Sequence, residues 1–388
     1  MTDRDDFLRD RVSPGQPGPP AAQPSPLPPR HPRTAPPPMV PVPPRSPATP
    51  RPAPRSRVAP TEPPRPVTAA PPPSARAGVD VGSGGRHIRR PGRGWRHLLR
   101  VATFGLVDLG LSAQERQEAN DEAAIRAVLR GNYKVGVVGK GGVGKTSVAA
   151  SIGSIFAELR RQDRVVAIDA DTAFGRLASR IDPHASGSYW ELTADKNLQS
   201  FADVRARVGS NSAGLYVLAG EPAAGPRRVL DPAIYREAAL RLDRHFTISV
   251  IDCGSSMDAP VTQEVLRDLD ALVVVSSPWA DGASAAAKTL EWLAEHGRTD
   301  LLQRTVVVLN DSDGHADKRT RSLLARQFHD RGQSVIEVPF DPHLRPGGVI
   351  DVNAEMAPAT RRKFLEITAV IARFFAARPA GVRHPTGW

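Results

Sequence analysis

The 388 residues suffice for two ordinary domains, but 27 of the 39 prolines fall in the first 91 residues, in runs such as PSPLPPRHPRTAPPPMVPVPPR that lack core-forming side chains. Residues 1–100 also hold 17 arginines, no lysine and six acidic residues, so the whole net charge of +11 resides there and the remaining 35 basic and 35 acidic residues balance. That division excludes a strongly basic folded domain, and the single cysteine, Cys253, excludes an intrachain disulfide and any multi-cysteine metal site.

Residues 1–90 cannot offset the entropy of their own ordering and are expected to form a disordered Pro/Arg-rich tail. Affinity for polyanions would come mostly from this arm. The opening MTDRDDFLRD is charged where a signal peptide needs an apolar run, and no uninterrupted apolar segment of about 18 residues occurs. The expectation is a soluble, cytoplasmic protein, with peripheral attachment at the cytoplasmic membrane left open. Residues 91–130 are expected to form a basic adaptor and a helix. Trp95, Leu98, Leu99, Val101 and Phe104 interrupt its charges and suit packing against the domain, or else an anionic surface. Ser112 and Glu115 form an S-x-x-E capping box that predicts a helix through about residue 130, ended by Gly131 and Asn132.

From residue 131 to about 380 short β-branched runs alternate with longer amphipathic stretches, before a flexible terminus at 381–388. Strands are predicted over 134–138, 164–168, 214–218, 247–251, 271–276, 305–309 and 334–338, and helices between them, for example over 145–159, 231–243, 285–296 and 318–330. Strands apolar at nearly every position and separated by helices indicate a doubly wound α/β domain with a mostly parallel sheet covered on both faces. A last helix in RRKFLEITAVIARFFAARP places Phe364, Ile367, Ile371 and Phe374 on one face, expected to pack on the sheet rather than on a membrane.

Between the first strand and helix, Gly139-Lys140-Gly141-Gly142-Val143-Gly144-Lys145-Thr146 fits G-x-x-x-x-G-K-[ST]. Glycines let backbone N–H groups turn toward phosphate oxygens, Lys145 neutralises the β and γ phosphates, and the Thr146 hydroxyl suits Mg2+. The helix that follows aims its positive end at the anion. Downstream, RVVAIDAD ends a strand at Asp169 with Asp171 two residues on, and FTISVID ends another at Asp252. Carboxylates at the C-terminal ends of parallel strands face the crevice where ligands bind. A Mg2+-nucleotide site is expected, with Asp252 holding the ion through its water shell.

KGGVGKTS with its extra lysine, IDADTAFGRLA, VIDCGSS, VVVLND and VPFDPHLRPGG together resemble the deviant-Walker-A ATPases of the MinD/ParA/Mrp class, P-loop NTPases of SIMIBI type. The order of a proline-rich tail, RRPGRGWRHLLRVATFGLVDLGLS, a helix and LRGNYKVGVVGKGGVGKTS resembles the EspI-type proteins associated with ESX (type VII) secretion. The resemblance implies a homodimer with ATP at its interface, in which Lys140 acts in trans on the partner's phosphates while Lys145 acts in cis. It further implies that Asp171 positions the attacking water, that Ser147 contacts the α-phosphate, and that Asp169 assists Mg2+ through water or fixes the switch loop. Cys253 and Gly254 depart from the family's usual switch-II residues, and Thr172 and Ala173 from the ParA Pro-Gln pair. Asn310 and Asp313 match the guanine-reading N-K-x-D, but Asp311 replaces its lysine. The resemblance implies that Asn310 and Pro339 contact adenine, so ATP is expected over GTP. The resulting expectation is a Mg-dependent ATPase switch with a partner in the secretion apparatus reached through the tail. Alternatives are a ParA-like positioning ATPase on DNA or a membrane surface, and a scaffold that binds nucleotide with little hydrolysis.

Overall fold

The structure is a computed structural model that describes residues 112–378 other than 172–174, 186 and 221–227. The tail, the basic part of the adaptor, Thr172, Ala173 and the C-terminus at 381–388 lie outside the described residues.

The strands are β1 (Tyr133–Gly139), β2 (Val165–Ala170), β3 (Gly209–Ser210), β4 (Leu215–Leu218), β5 (Ile248–Cys253), β6 (Ala271–Ser276), β7 (Thr305–Asn310) and β8 (Ser334–Val338). They form one sheet in the order β3-β4-β2-β5-β1-β6-β7-β8, parallel throughout except at β3. The helices are α1 (Ala113–Arg126), α2 (Lys145–Leu159), α3 (Leu177–Ile181), α4 (Tyr189–Ala194), α5 (Phe201–Arg205), α6 (Pro232–Asp243), α7 (Pro260–Arg267), α8 (Ala280–Glu295), α9 (Thr299–Gln303), α10 (Lys318–His329) and α11 (Pro358–Ala376).

Side chains alternate across a strand, so each apolar run feeds two cores. Val135, Val137, Val165, Ala167, Ile248, Val250, Val273 and Val306 face a layer made with α1, α2, α3 and α11. Val138, Val166, Ile168, Ile251, Leu272, Val274 and Val307 face the layer made with α4, α6, α7, α8 and α10. Burial on both faces is why these strands read as continuous apolar runs.

The capping box at the start of α1 forms, with Glu115 N donating to Ser112 Oγ at 3.1 Å and Ser112 N to Glu115 Oε2 at 2.7 Å. The helix ends at Arg126, not near residue 130, because Ala127 turns extended at ψ 146°. Arg160 holds that end, donating to the carbonyls of Ile125 and, at 2.7 Å, Ala127. Ile125 is fully buried in the core shared with α11, and buried Asp121 pairs with Arg373 of α11 at 2.6 Å. α1 is thus packed into the sheet's own core rather than linked loosely ahead of it.

The face that α11 buries is Phe364, Ile367, Ile371 and Phe375; Phe374, expected there, is half-buried at its margin. Counting from Phe364, position 375 stays on the helical stripe where 374 has rotated off it. This apolar face lies in the core against α2 and the sheet, as the packing expectation requires. Among the described residues no helix is long and apolar enough to cross a membrane.

Candidate nucleotide site

Central β1 delivers the phosphate loop to the crevice at the C-terminal edge of the sheet. At Gly139 the chain leaves the strand with φ +150°, where an added Cβ would stand 2.2 Å from Val275 O of β6. At Gly144 it re-enters helix with φ +93°, and a Cβ there would stand 2.5 Å from Asn310 Nδ2. Both positions require glycine for conformation and for space. Because Gly144 offers no side-chain cap, the first amides of α2 are left for a ligand. Gly141 and Gly142 are exposed on the outer turn, and Val143 is buried beneath it.

Lys145 is buried with its Nζ 3.4 Å from Lys140 O, so its ammonium lies back across the loop. The half-buried Thr146 stands beside Asp252, where its hydroxyl holds the carboxyl down against the effect of burial. Ser147, one residue on, has its hydroxyl engaged by Arg180 Nη2 at 2.7 Å.

Two of the three predicted carboxylates stand side by side. Asp169 and Asp252 are register partners on adjacent β2 and β5, and each is only 1% exposed. Burial pushes both carboxyls up, and for Asp169 the neighbouring Asp252 charge adds to it. The Thr146 hydroxyl and Lys145 partly offset this at Asp252. The Asp169 carboxylate accepts from Leu177 N at 3.0 Å and Asp171 N at 3.2 Å, closing the segment between β2 and α3. Asp252 differs: its Oδ1 is buried and has no hydrogen-bond partner. Asp171 is half-buried at the mouth, 3.6 Å from where a Cβ on Gly254 would stand. Cys253 points into the opposite core, where burial pushes its thiol up and makes it inert.

Among the described residues no three His, Cys, Asp or Glu side chains are arranged to hold a metal ion by themselves. An unbonded carboxylate oxygen beside a hydroxyl, both hard donors, nonetheless suits Mg2+ that keeps most of its shell as water and phosphate. The donor set fits that ion on Thr146 and Asp252. It fits less well on Asp169, whose oxygens are occupied by two amides.

Lys140 projects from the loop with its side chain 48% exposed and pairs with Asp281 Oδ2 at 2.6 Å in the first turn of α8. That lysine holds the Asp281 carboxyl below the usual carboxylate range. Asn310 is buried at the end of β7, where its Nδ2 donates to Val143 O at 2.8 Å. It therefore fastens the phosphate loop, with Oδ1 and one amide hydrogen left for other partners. Pro339 follows Val338, the register partner of Asn310, and also lines a groove of about 650 Å3 between β8, α1, α10 and α11. Asp281 and Arg180 escaped sequence reasoning. Asp281 lies 141 residues from its lysine and outside any motif. Arg180 had a signal: a charged residue between Leu177 and Ile181, both core positions of a short helix.

Among curated proteins, 287 residues of the chain are 34% identical to the ESX-1 secretion-associated protein EspI of Mycobacterium tuberculosis, covering 73% of this chain and 42% of that relative. The chain thus spans well under half the length of EspI. An uncharacterized ATP-binding protein of Methanocaldococcus jannaschii is 24% identical over 238 residues, 60% of this chain and 85% of its own. Among solved structures, a ParA family ATPase from Chlorobium tepidum superposes with a TM-score of 0.50 at 19% identity, covering 61% of this chain and 98% of that one, a likeness of fold. The family described as the CobQ/CobB/MinD/ParA nucleotide binding domain matches residues 135–346, from the strand ahead of the phosphate loop to the loop beyond Pro339, and the chain belongs to that family.

Proposed function

We propose that the protein is a Mg-dependent ATP-binding and hydrolysing switch that closes as a homodimer around ATP. The observation that carries this reading is the cluster of Lys145, Thr146 and the unbonded Asp252 Oδ1 behind a glycine loop with uncapped amides, while a second loop lysine stands at the surface. Thr146 and, through water, Asp252 would hold Mg2+, with Asp169 as a further water-mediated contact. The ion would neutralise charge on the β and γ phosphates.

In this reading the backbone of Gly139 to Gly144 wraps the phosphates and Lys145 neutralises them within one subunit. Ser147 meets the α-phosphate. Asp171, half-buried at the mouth, orients the attacking water. Lys140 reaches the phosphates bound by the partner copy, which makes hydrolysis depend on dimerisation because the cation acts where charge develops. Asn310 and Pro339 flank adenine. Similarity to EspI supports a regulatory or accessory role in ESX (type VII) secretion, with the Pro/Arg-rich residues 1–90 meeting a component of the apparatus. The balanced charge outside residues 1–100 weighs against DNA as the working surface.

Light scattering combined with phosphate release tests the switch. Wild type should shift from monomer to dimer on Mg-ATP and turn over slowly, Asp171→Ala should trap the dimer without turnover, and Lys140→Ala should bind ATP yet neither dimerise nor hydrolyse. Unaltered turnover of Lys140→Ala would refute the role in trans.

A further inference from the structure

Arg180 is the least expected charge in the molecule. It lies on α3, only 5% exposed, and burial depresses its pKa. Its guanidinium donates to Ser147 Oγ at 2.7 Å and Leu344 O at 2.7 Å through Nη2, and to Gly348 O at 2.8 Å through Nη1. Every one of these acceptors is neutral. Among the described residues no carboxylate pairs with it, although guanidinium groups remain charged at any working pH. A buried cation compensated only by dipoles is costly to keep, and an anion brought near it is correspondingly favoured.

The place of the three acceptors gives that anion an address. Ser147 is in the first turn of α2, whose uncapped end faces the phosphate crevice. A hydroxyl has one proton and two lone pairs, so when an arginine N–H occupies a lone pair the proton is steered elsewhere. Among the described residues Arg180 is the hydrogen-bond partner of that hydroxyl, and no acceptor there takes its proton. Leu344 and Gly348 belong to the loop after β8, and Ile350 N returns to Arg180 O at 2.9 Å. The same loop is fastened on its far side by Arg345, which donates to Ser312 O at 2.8 Å just beyond Asn310. Two arginines therefore join this loop to both sides of the crevice.

We propose, resting on the nucleotide reading above, that Arg180 is a positioning residue for the nucleotide. It aims the Ser147 hydroxyl at the α-phosphate and ties that contact to the 344–350 loop beside the base. Because it acts chiefly through Ser147, most of its effect on affinity must be lost when the hydroxyl is gone, leaving only the attraction of its charge and its hold on the loop.

Calorimetric affinities for Mg-ATPγS test this in a cycle of wild type, Ser147→Ala, Arg180→Gln and the double variant of the full chain. Each single change should weaken binding about tenfold, as for loss of a hydrogen bond to a charged group. The double variant should lose clearly less than the product of the two single losses. Independent, multiplying losses would overturn the proposal and leave Arg180 a structural staple. If Arg180→Gln fails to fold, Arg180→Lys replaces it in the same cycle. It keeps the buried charge, while a single ammonium cannot reproduce the guanidinium fork that joins Ser147 to the loop carbonyls. Any loss it shows must again be smaller in the Ser147→Ala background. Failure of wild type itself to bind Mg-ATPγS would instead overturn the nucleotide reading.

Discussion

At the scale of single residues the site is governed by two buried carboxyls that oppose each other. Asp169 and Asp252 have folded pKa values raised above the ordinary 3.8, first by burial. The folded state therefore binds more protons than the unfolded one as pH climbs from that value toward neutrality, and stability must fall with rising pH over that window. Below the unfolded value both states are protonated and the effect is absent. Replacing Asp252 by Asn removes one of the charges, so the variant should gain melting temperature relative to wild type as pH rises from 4 to 8. A difference in melting temperature that stays constant over that range would contradict a shared buried charge. Preformed Mg-ATPγS should release protons on binding at pH 7, measurable by calorimetry in buffers of different ionisation enthalpy, and Asp252→Asn should release fewer. A second residue-scale constraint is Gly144, whose φ of +93° and 2.5 Å approach to Asn310 Nδ2 leave no room for a methyl group. Gly144→Ala should cost about 1–3 kcal/mol in chemical denaturation and weaken nucleotide binding with it, since strain and a displaced Asn310 act together. Unchanged stability would show that the loop relaxes freely.

At the scale of elements, what the sequence discloses depends on whether local pattern or distant partners decide. β6 and β8 occupy the predicted 271–276 and 334–338 because their apolar runs end where the pairing ends. β2 and β5 run past their predicted ends because the ladder continues through Asp169–Asp252 and Ala170–Cys253, polar and small positions that no hydrophobic run marks. α8 begins at Ala280 rather than at 285, since Gly282 and Ser284 dilute the periodicity. The phosphate loop and strand-end aspartates were legible because their spacing in sequence is the spacing of the chemistry. The anchoring of Ser147, Val143 and Lys140 was not, because the partners Arg180, Asn310 and Asp281 lie 33 to 167 residues away. α11 is likewise held by distant partners. Its buried face is part of the core, so Phe364→Ala should cost about 3–5 kcal/mol in denaturant unfolding. A loss under about 1 kcal/mol would mean the helix is detachable and would restore membrane attachment as its role.

For the whole molecule the decisive surface is the one that presents Lys140. In the single chain this lysine is held by Asp281, but both groups are largely exposed, so the pair is screened by solvent and salt. A device of that kind holds the lysine without committing it. If closure of two copies requires Lys140 to leave its own aspartate for the partner's phosphates, removing the aspartate must favour the dimer and removing the lysine must prevent it. Asp281→Asn should therefore shift the monomer–dimer midpoint to lower Mg-ATPγS concentration by about threefold to tenfold in sedimentation velocity. That range corresponds to the modest worth of an exposed ion pair together with the freed charge, and it should narrow as salt weakens the pair in wild type. Nucleotide affinity measured at concentrations too low for dimers should be unaffected, because in the proposed arrangement Lys145, and not Lys140, meets the phosphates of its own chain. A higher midpoint for Asp281→Asn would reverse the assignment, placing the aspartate among the contacts that hold two copies together.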